Sequence, residues 1–168
     1  LRANESNTDE LSKFINEVTF QGFKITIPHI NESFNHVSAI DDYIRLGFVC
    51  IKGVWSEVWE TIQKQRQSNG PYQSLGDFLT RCQSVINKKS LEWLIKSWAL
   101  DCFNDRGTLL HHMDHLLERS KSSHHISDGW LFGWWFSQQS LELEQHNQLT
   151  IIDRLKLEHD VFKTFVWA

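Results

Sequence analysis

Apolar residues recur every three or four positions in several stretches of the chain, a spacing that places them on one face of an α-helix. This spacing predicts helices over residues 7–20, 56–67, 74–81 and 151–165, and two more that follow residues 87–90 and 104–105. Residues 23–27 alternate between apolar and polar side chains and stop at Pro28, which predicts a short strand. Residues 34–46 alternate on both sides of Asp41 and Asp42, the pattern of a β-hairpin. The chain is therefore predicted to be mainly α with a small β-hairpin.

Residues 45–66 predict two helices joined by a tight turn. A short apolar helix is expected to end near Ile51, and a second to begin with Ser56 as its N-cap. The turn between them contains Lys52, Gly53, Val54 and Trp55. The first amides of a helix have no intrahelical partner and carry the positive end of the helix dipole. The turn therefore predicts an anion site, for which a phosphate oxygen is the natural acceptor.

This turn resembles the helix-hairpin-helix motif, whose hairpin has the pattern apolar, any residue, Gly, apolar, Gly. By that resemblance Gly53 lets the backbone approach a DNA phosphate, and Val54 plugs the hairpin into the core. Trp55 departs from the pattern because it stands where the second glycine is expected. An ordinary helical hairpin with a glycine turn is the alternative interpretation of these residues taken alone.

The flanking residues resemble the alpha subunits of bacterial DNA polymerase III over residues 7–119, and more loosely over 129–165. The matching segments, in the same order and spacing, are residues 22–33, 44–47, 51–54, 70–78, 85–95, 99–101 and 105–110. The resemblance implies a tandem helix-hairpin-helix bundle over residues 34–119. It also implies the end of a fingers-like helix and a linking strand over residues 1–33. Residues 120–168 would be a loop and a helix leading towards a further domain.

The resemblance implies a second hairpin at residues 87–90. There Lys88 and Lys89 would contact a phosphate backbone; two solvated lysines near a helix start are the alternative. The residues expected to bind DNA are Lys52, Gly53, Val54, Trp55, Ser56, Asn87, Lys88 and Lys89.

By the same resemblance, the chain is part of a replicative DNA polymerase, a nucleotidyltransferase of DNA replication, and grips duplex DNA without reading its sequence. Polymerase chemistry needs clustered carboxylates that hold two metal ions. The Asp and Glu residues here are scattered, so we expect no catalytic residue and no cofactor in this fragment, with Mg²⁺ held elsewhere in the parent polymerase. Its other partners would be the remaining domains and subunits. A replicative and an error-prone branch remain open.

Charge and composition limit which part of the surface could bind nucleic acid and which class of protein this is. The net charge of −4 argues against a nucleic-acid binder over the whole surface, but residues 45–106 carry nine Lys and Arg against six Asp and Glu. This central part is the side expected to face a polyanion. At 168 residues the chain can bury one core, and its start at Leu1 suggests a fragment. The three scattered cysteines favour reduced thiols in a cytoplasmic protein, and no apolar run supports a membrane role.

Three further features of the sequence suggest separate hypotheses. The aromatic run over residues 129–136 suggests a second function, a standalone interaction module that binds a protein partner through this run. His111 and His115 have the spacing of two metal ligands, but without a third ligand they are expected to be surface histidines. Trp55, Trp98 and Trp134 stand where the resemblance places glycine, so some of them are hypothesised to be glycines encoded by UGA.

Overall fold

The helices and strands form in the predicted order. The computed structural model describes residues 8–122, 143–145, 149–163 and 166, and the aromatic run over residues 129–136 lies outside them. The helices are α1 (Thr8–Phe20), α2 (Ser56–Asn69), α3 (Leu75–Cys82), α4 (Lys88–Lys96), α5 (Arg106–Ser122) and α6 (Ile151–Phe162). The strands are β1 (Lys24–Thr26), β2 (Ser38–Ile40) and β3 (Tyr43–Arg45). The mainly α prediction is confirmed, and α5 continues three residues into the segment predicted to be a loop from Ser120.

The predicted β-hairpin is confirmed, and β1 adds a third strand to it. Strands β2 and β3 pair antiparallel across a turn at Asp41 and Asp42, where Asp41 has a φ of +48°. Aspartate tolerates this left-handed conformation better than most residues. Strand β1 pairs with β3 in parallel, so the strand order is β1-β3-β2. Helix α1 packs against β1, which places this helix beside the sheet.

The short apolar helix predicted to end near Ile51 is instead a single 3₁₀ turn, Phe48–Cys50. The Phe48 and Val49 amides donate to main-chain carbonyls of Phe34 and Asn35, at 3.1 and 3.0 Å. Because these amides are bonded to a distant segment, they cannot continue a helical ladder. The 3₁₀ turn and α2 form the first helical hairpin, and α3 and α4 form the second.

One hydrophobic cluster joins the two hairpins to the first and last described helices. Its buried members include Leu11 of α1, Phe48 of the 3₁₀ turn, Ile62 of α2, Leu94 of α4 and Phe162 of α6. Helix α5 packs on α3 and α4, and α6 packs on α4 and α1. Burial of these side chains is the main favourable term that holds the hairpins in place.

Residues 30–33, between β1 and β2, are bonded to both hairpins. Arg66 of α2 donates two hydrogen bonds, to the carbonyl oxygens of Ile30 at 3.0 Å and of Ser33 at 2.7 Å. Asn31 exchanges two hydrogen bonds with the main chain of Tyr72, just before α3. The Ile30 amide donates to the Ala99 carbonyl, just after α4. We call residues 30–33 the linking segment.

Candidate nucleic-acid interface

The turn of the first hairpin has the geometry expected for its glycine and its valine. Gly53 has a φ of +74°, which residues with a Cβ rarely adopt. Val54 is 5% exposed and belongs to the hydrophobic cluster, so the prediction that it plugs the hairpin into the core is confirmed. The Val54 amide donates to the carbonyl of Ile51 at 3.3 Å. Because this donor is used within the turn, the Val54 amide is not available to an anion.

Helix α2 begins without a side-chain cap. The N-cap is Trp55, which makes no capping hydrogen bond, and Ser56 is the first helical residue. The prediction that Ser56 is the N-cap is therefore wrong. With Val54 buried in the turn, the Trp55 carbonyl is the first helical acceptor, bonded to the amides of Val58 and Trp59. The N-cap position thus falls on a side chain that cannot accept a hydrogen bond from the helix.

Three other helix starts have the cap that α2 lacks. Ser74, Asn87 and Thr150 each accept a hydrogen bond from a first-turn amide of the helix that follows. The Ser56 and Glu57 amides at the start of α2 have no such side-chain acceptor, which leaves them for water or an anion. Trp55 lies beside them with its side chain 62% exposed.

In the second hairpin, Asn87 and Lys88 are occupied by contacts within the fold. The Asn87 side chain accepts from the Ser90 amide at 2.9 Å, and the Ser90 hydroxyl accepts from the Asn87 amide at 2.9 Å. This capping box satisfies two donors at the start of α4 and holds the Asn87 side chain by its oxygen, so that a phosphate contact would have to use its NH₂ group as the donor. Lys88 forms an ion pair with Asp114 of α5 at 2.7 Å, and both side chains are more than half exposed. Lys89 is exposed.

The two hairpins meet at Trp93 of α4. A Cβ placed on Gly53 would lie 2.2 Å from Cδ1 of Trp93, so the indole covers the turn where only a glycine fits. The ammonium nitrogens of Lys52 and Lys96 lie 5.7 and 5.2 Å from the centre of the Trp93 ring. These distances are within the range of cation–π attraction.

Sequence reasoning did not single out Trp93 or Lys96. Lys89, Trp93 and Lys96 are spaced i, i+4 and i+7 on α4, so the sequence alone could have predicted that they share one helix face. The contact of this face with the first hairpin depends on tertiary packing. We call Lys52, Gly53, Trp55, Ser56, Lys89, Trp93 and Lys96 the hairpin surface.

The positive charge of the hairpin surface rests mainly on Lys52 and Lys89. Lys96 forms an ion pair with Glu92 at 2.7 Å, which offsets its charge. Within the described part of the chain, Lys52 and Lys89 enter no ion pair. Exposed ammonium groups of this kind attract a polyanion through long-range forces that salt screens.

The described residues offer little for other chemistry. Burial raises the pKa of the Cys50 and Cys82 thiols to about 11, so neither is an activated nucleophile at neutral pH. His111 and His115 are exposed, and the described ranges contain no group of three His, Cys, Asp or Glu residues arranged to hold a metal. In those ranges no helix has the length and apolar character needed to cross a membrane.

Comparison with known proteins gives one family and several relatives. The family described as helix-hairpin-helix motif matches residues 22–109. The chain is 28% identical over 167 residues to DNA polymerase III subunit alpha of Thermus aquaticus, covering 99% of this chain and 14% of that subunit. It is 33% identical over 170 residues to the same subunit of Borreliella burgdorferi, covering 96% of this chain and 15% of that one. With the Chlamydia pneumoniae subunit it shares 37% identity over 111 residues, covering 66% and 9% of the two chains. The chain thus spans about one seventh or less of these relatives.

Proposed function

This chain belongs to the helix-hairpin-helix family, and we propose that it binds duplex DNA as one segment of the alpha subunit of a bacterial replicative DNA polymerase. The binding is independent of sequence, because it uses main-chain amides and lysines that contact phosphates and no group that reads base edges. The observation that carries this proposal is the hairpin surface. It combines a helix start without a side-chain cap, two lysines that enter no ion pair with the described residues and a glycine turn packed against Trp93.

The mechanism follows from these groups. A phosphate oxygen accepts hydrogen bonds from the first amides of α2, next to the exposed Trp55 and Ser56. Lys52 and Lys89 add Coulomb attraction and release counterions from the duplex when they bind. Asn87 supports the site by capping α4, and Lys88 can reach a phosphate only by leaving Asp114. Val54 acts through the core, because it holds the turn in place.

The whole protein is proposed to be a DNA-directed DNA polymerase of the cytoplasm. Its relatives carry the name DNA polymerase III subunit alpha, and this chain covers only a small part of them. The carboxylates that hold Mg²⁺ for nucleotidyl transfer are proposed to lie elsewhere in the parent chain. The role of this segment is to hold the duplex in support of synthesis, beside the other domains and subunits.

Fluorescence anisotropy with several unrelated DNA duplexes tests the binding proposal. We expect similar affinities for all duplexes and a steep fall with salt, since each phosphate contact contributes a slope of about −0.9 in log K against log salt. Lys52→Ala and Lys89→Ala should each reduce this slope by roughly one unit. Lys13→Ala on α1, which changes an exposed lysine away from the hairpins, is the matched control.

Two results would refute the proposal. One is an affinity that does not change with salt; the other is an equal effect of Lys52→Ala, Lys89→Ala and Lys13→Ala. Salt-insensitive binding to a protein partner in place of DNA would favour the interaction module suggested by residues 129–136.

A further inference from the structure

The residue that follows helix α4 has a backbone conformation that suits glycine. The C-cap of α4 is Ser97, and Trp98 comes next with a φ of +73°. The Trp98 amide donates to the carbonyl of Ile95 at 3.2 Å, which closes the end of the helix. Many helices end on one left-handed residue at this position, and it is usually glycine because glycine has no Cβ to clash.

Tryptophan is an unfavourable residue at position 98, because its Cβ crowds the left-handed backbone. The left-handed conformation of a residue with a Cβ shifts the folding equilibrium roughly tenfold towards the unfolded state. Asp41, another residue of positive φ, has a short polar side chain that suits the conformation, whereas an indole does not.

The Trp98 ring also covers a buried charge. Its centre lies 3.6 Å from Cζ of Arg106, whose side chain is 2% exposed. Asp101 forms an ion pair with Nε of Arg106 at 3.3 Å, but the buried Nη1 has no hydrogen-bond partner among the described residues. A buried charged donor left without an acceptor is unfavourable, and the cation–π contact offsets only part of that cost. A glycine at position 98 would remove the indole that covers the Arg106 guanidinium.

Trp55 occupies a second position that favours glycine. It is the N-cap of α2, where glycine is accepted and large apolar residues are not. The indole makes no capping bond and is left 62% exposed. The chain has as many tryptophans as glycines, eight of each, whereas glycine alone usually makes up about 7% of residues.

We infer that positions 98 and 55 are glycine in the protein that its own cells make. On this inference both codons are UGA, which those cells translate as glycine. Tryptophans encoded by UGG are unaffected. At position 55 the inference rests on the proposed function and extends it, since glycine would remove the indole beside the amides at the start of α2. The part that concerns position 98 rests only on the backbone and on Arg106.

Sequencing of the gene and peptide mass spectrometry of the protein from its native cells test this inference. We expect UGA at codons 98 and 55 and glycine in the peptides that contain them. A UGG codon, or tryptophan in the peptide that contains position 98, would overturn it. Glycine at both positions in a protein that binds no duplex DNA would support the inference and refute the proposed function, so the two fail separately.

Unfolding of recombinant variants gives a second, independent test. Trp98→Gly and Trp98→Ala both remove the indole, but only glycine relieves the left-handed backbone. We expect the folding equilibrium constant of Trp98→Gly to exceed that of Trp98→Ala by about tenfold. If Trp98→Gly is no more stable than Trp98→Ala, position 98 is not built for glycine and the inference is wrong.

Discussion

Replacing Gly53 with alanine tests the contact that joins the two hairpins. The new Cβ would lie 2.2 Å from Cδ1 and 2.4 Å from Nε1 of Trp93, well inside contact distance. It would also stand on a backbone with a φ of +74°. Gly53→Ala should therefore destabilise the protein in two ways, by backbone strain and by steric overlap.

The expected loss is the sum of the two effects. A Cβ in the left-handed region costs about 1–2 kcal/mol. Overlap with a packed side chain typically costs about 1–3 kcal/mol, since the half-buried indole must move aside. Gly53→Ala should lower the free energy of unfolding by about 2–5 kcal/mol, a large part of the roughly 5–15 kcal/mol of a typical domain.

Urea denaturation followed by circular dichroism measures this loss, and Gly22→Ala is the matched control. Gly22 has a φ of +87°, and a Cβ added there would meet nothing within 4 Å, so its substitution causes strain without overlap. Gly22→Ala should cost about 1–2 kcal/mol. In a double-mutant cycle, Trp93→Ala should recover about 1–3 kcal/mol of the Gly53→Ala loss. Equal losses for Gly53→Ala and Gly22→Ala would show that Trp93 does not cover the turn.

Three further predictions concern the supports of the hairpins. Asn87→Ala removes the cap of α4 and should lower the free energy of unfolding by about 1 kcal/mol in urea, whereas Ser84→Ala, at an exposed position, should change it by less than about 0.5 kcal/mol. Arg66→Lys cannot keep both bonds to the linking segment and should cost about 1–2 kcal/mol in the same assay; no loss would show that one bond suffices. Burial raises the pKa of Asp101 from 3.8 to about 6, so its contribution to stability is complete below pH 3.8 and is lost as the pH rises through 6. Asp101→Asn should flatten that fall in unfolding experiments between pH 4 and 6, and the exposed Asp114→Asn should leave it unchanged.

Features that depend on neighbouring residues could be predicted from the sequence. The start of α3 at Ser74 and the hairpin turn at Asp41 and Asp42 are local signals, and each forms as expected. The buried position of Val54 agrees with what the helix-hairpin-helix resemblance implies for the apolar residue after the glycine.

Features that depend on distant contacts could not be predicted. The apolar residues 46–51 have helical spacing, yet hydrogen bonds to residues 34 and 35 limit them to a 3₁₀ turn. The N-cap of α2 falls on Trp55 because the bend after Ile51 sets the start of the helix, against the capping preference of Ser56. Trp93 and Gly53 belong to different hairpins, so no pattern among neighbouring residues could predict their contact.

The linking segment has a consequence for how the protein can be shortened. The resemblance implies a domain boundary before residue 34. A version of the protein truncated there would lack Ile30, Asn31 and Ser33. Arg66 would then lose both of its acceptors, and the main chain at Tyr72 would lose its partner. The smallest autonomous unit that retains both hairpins therefore has to include the residues from Ile30 onwards.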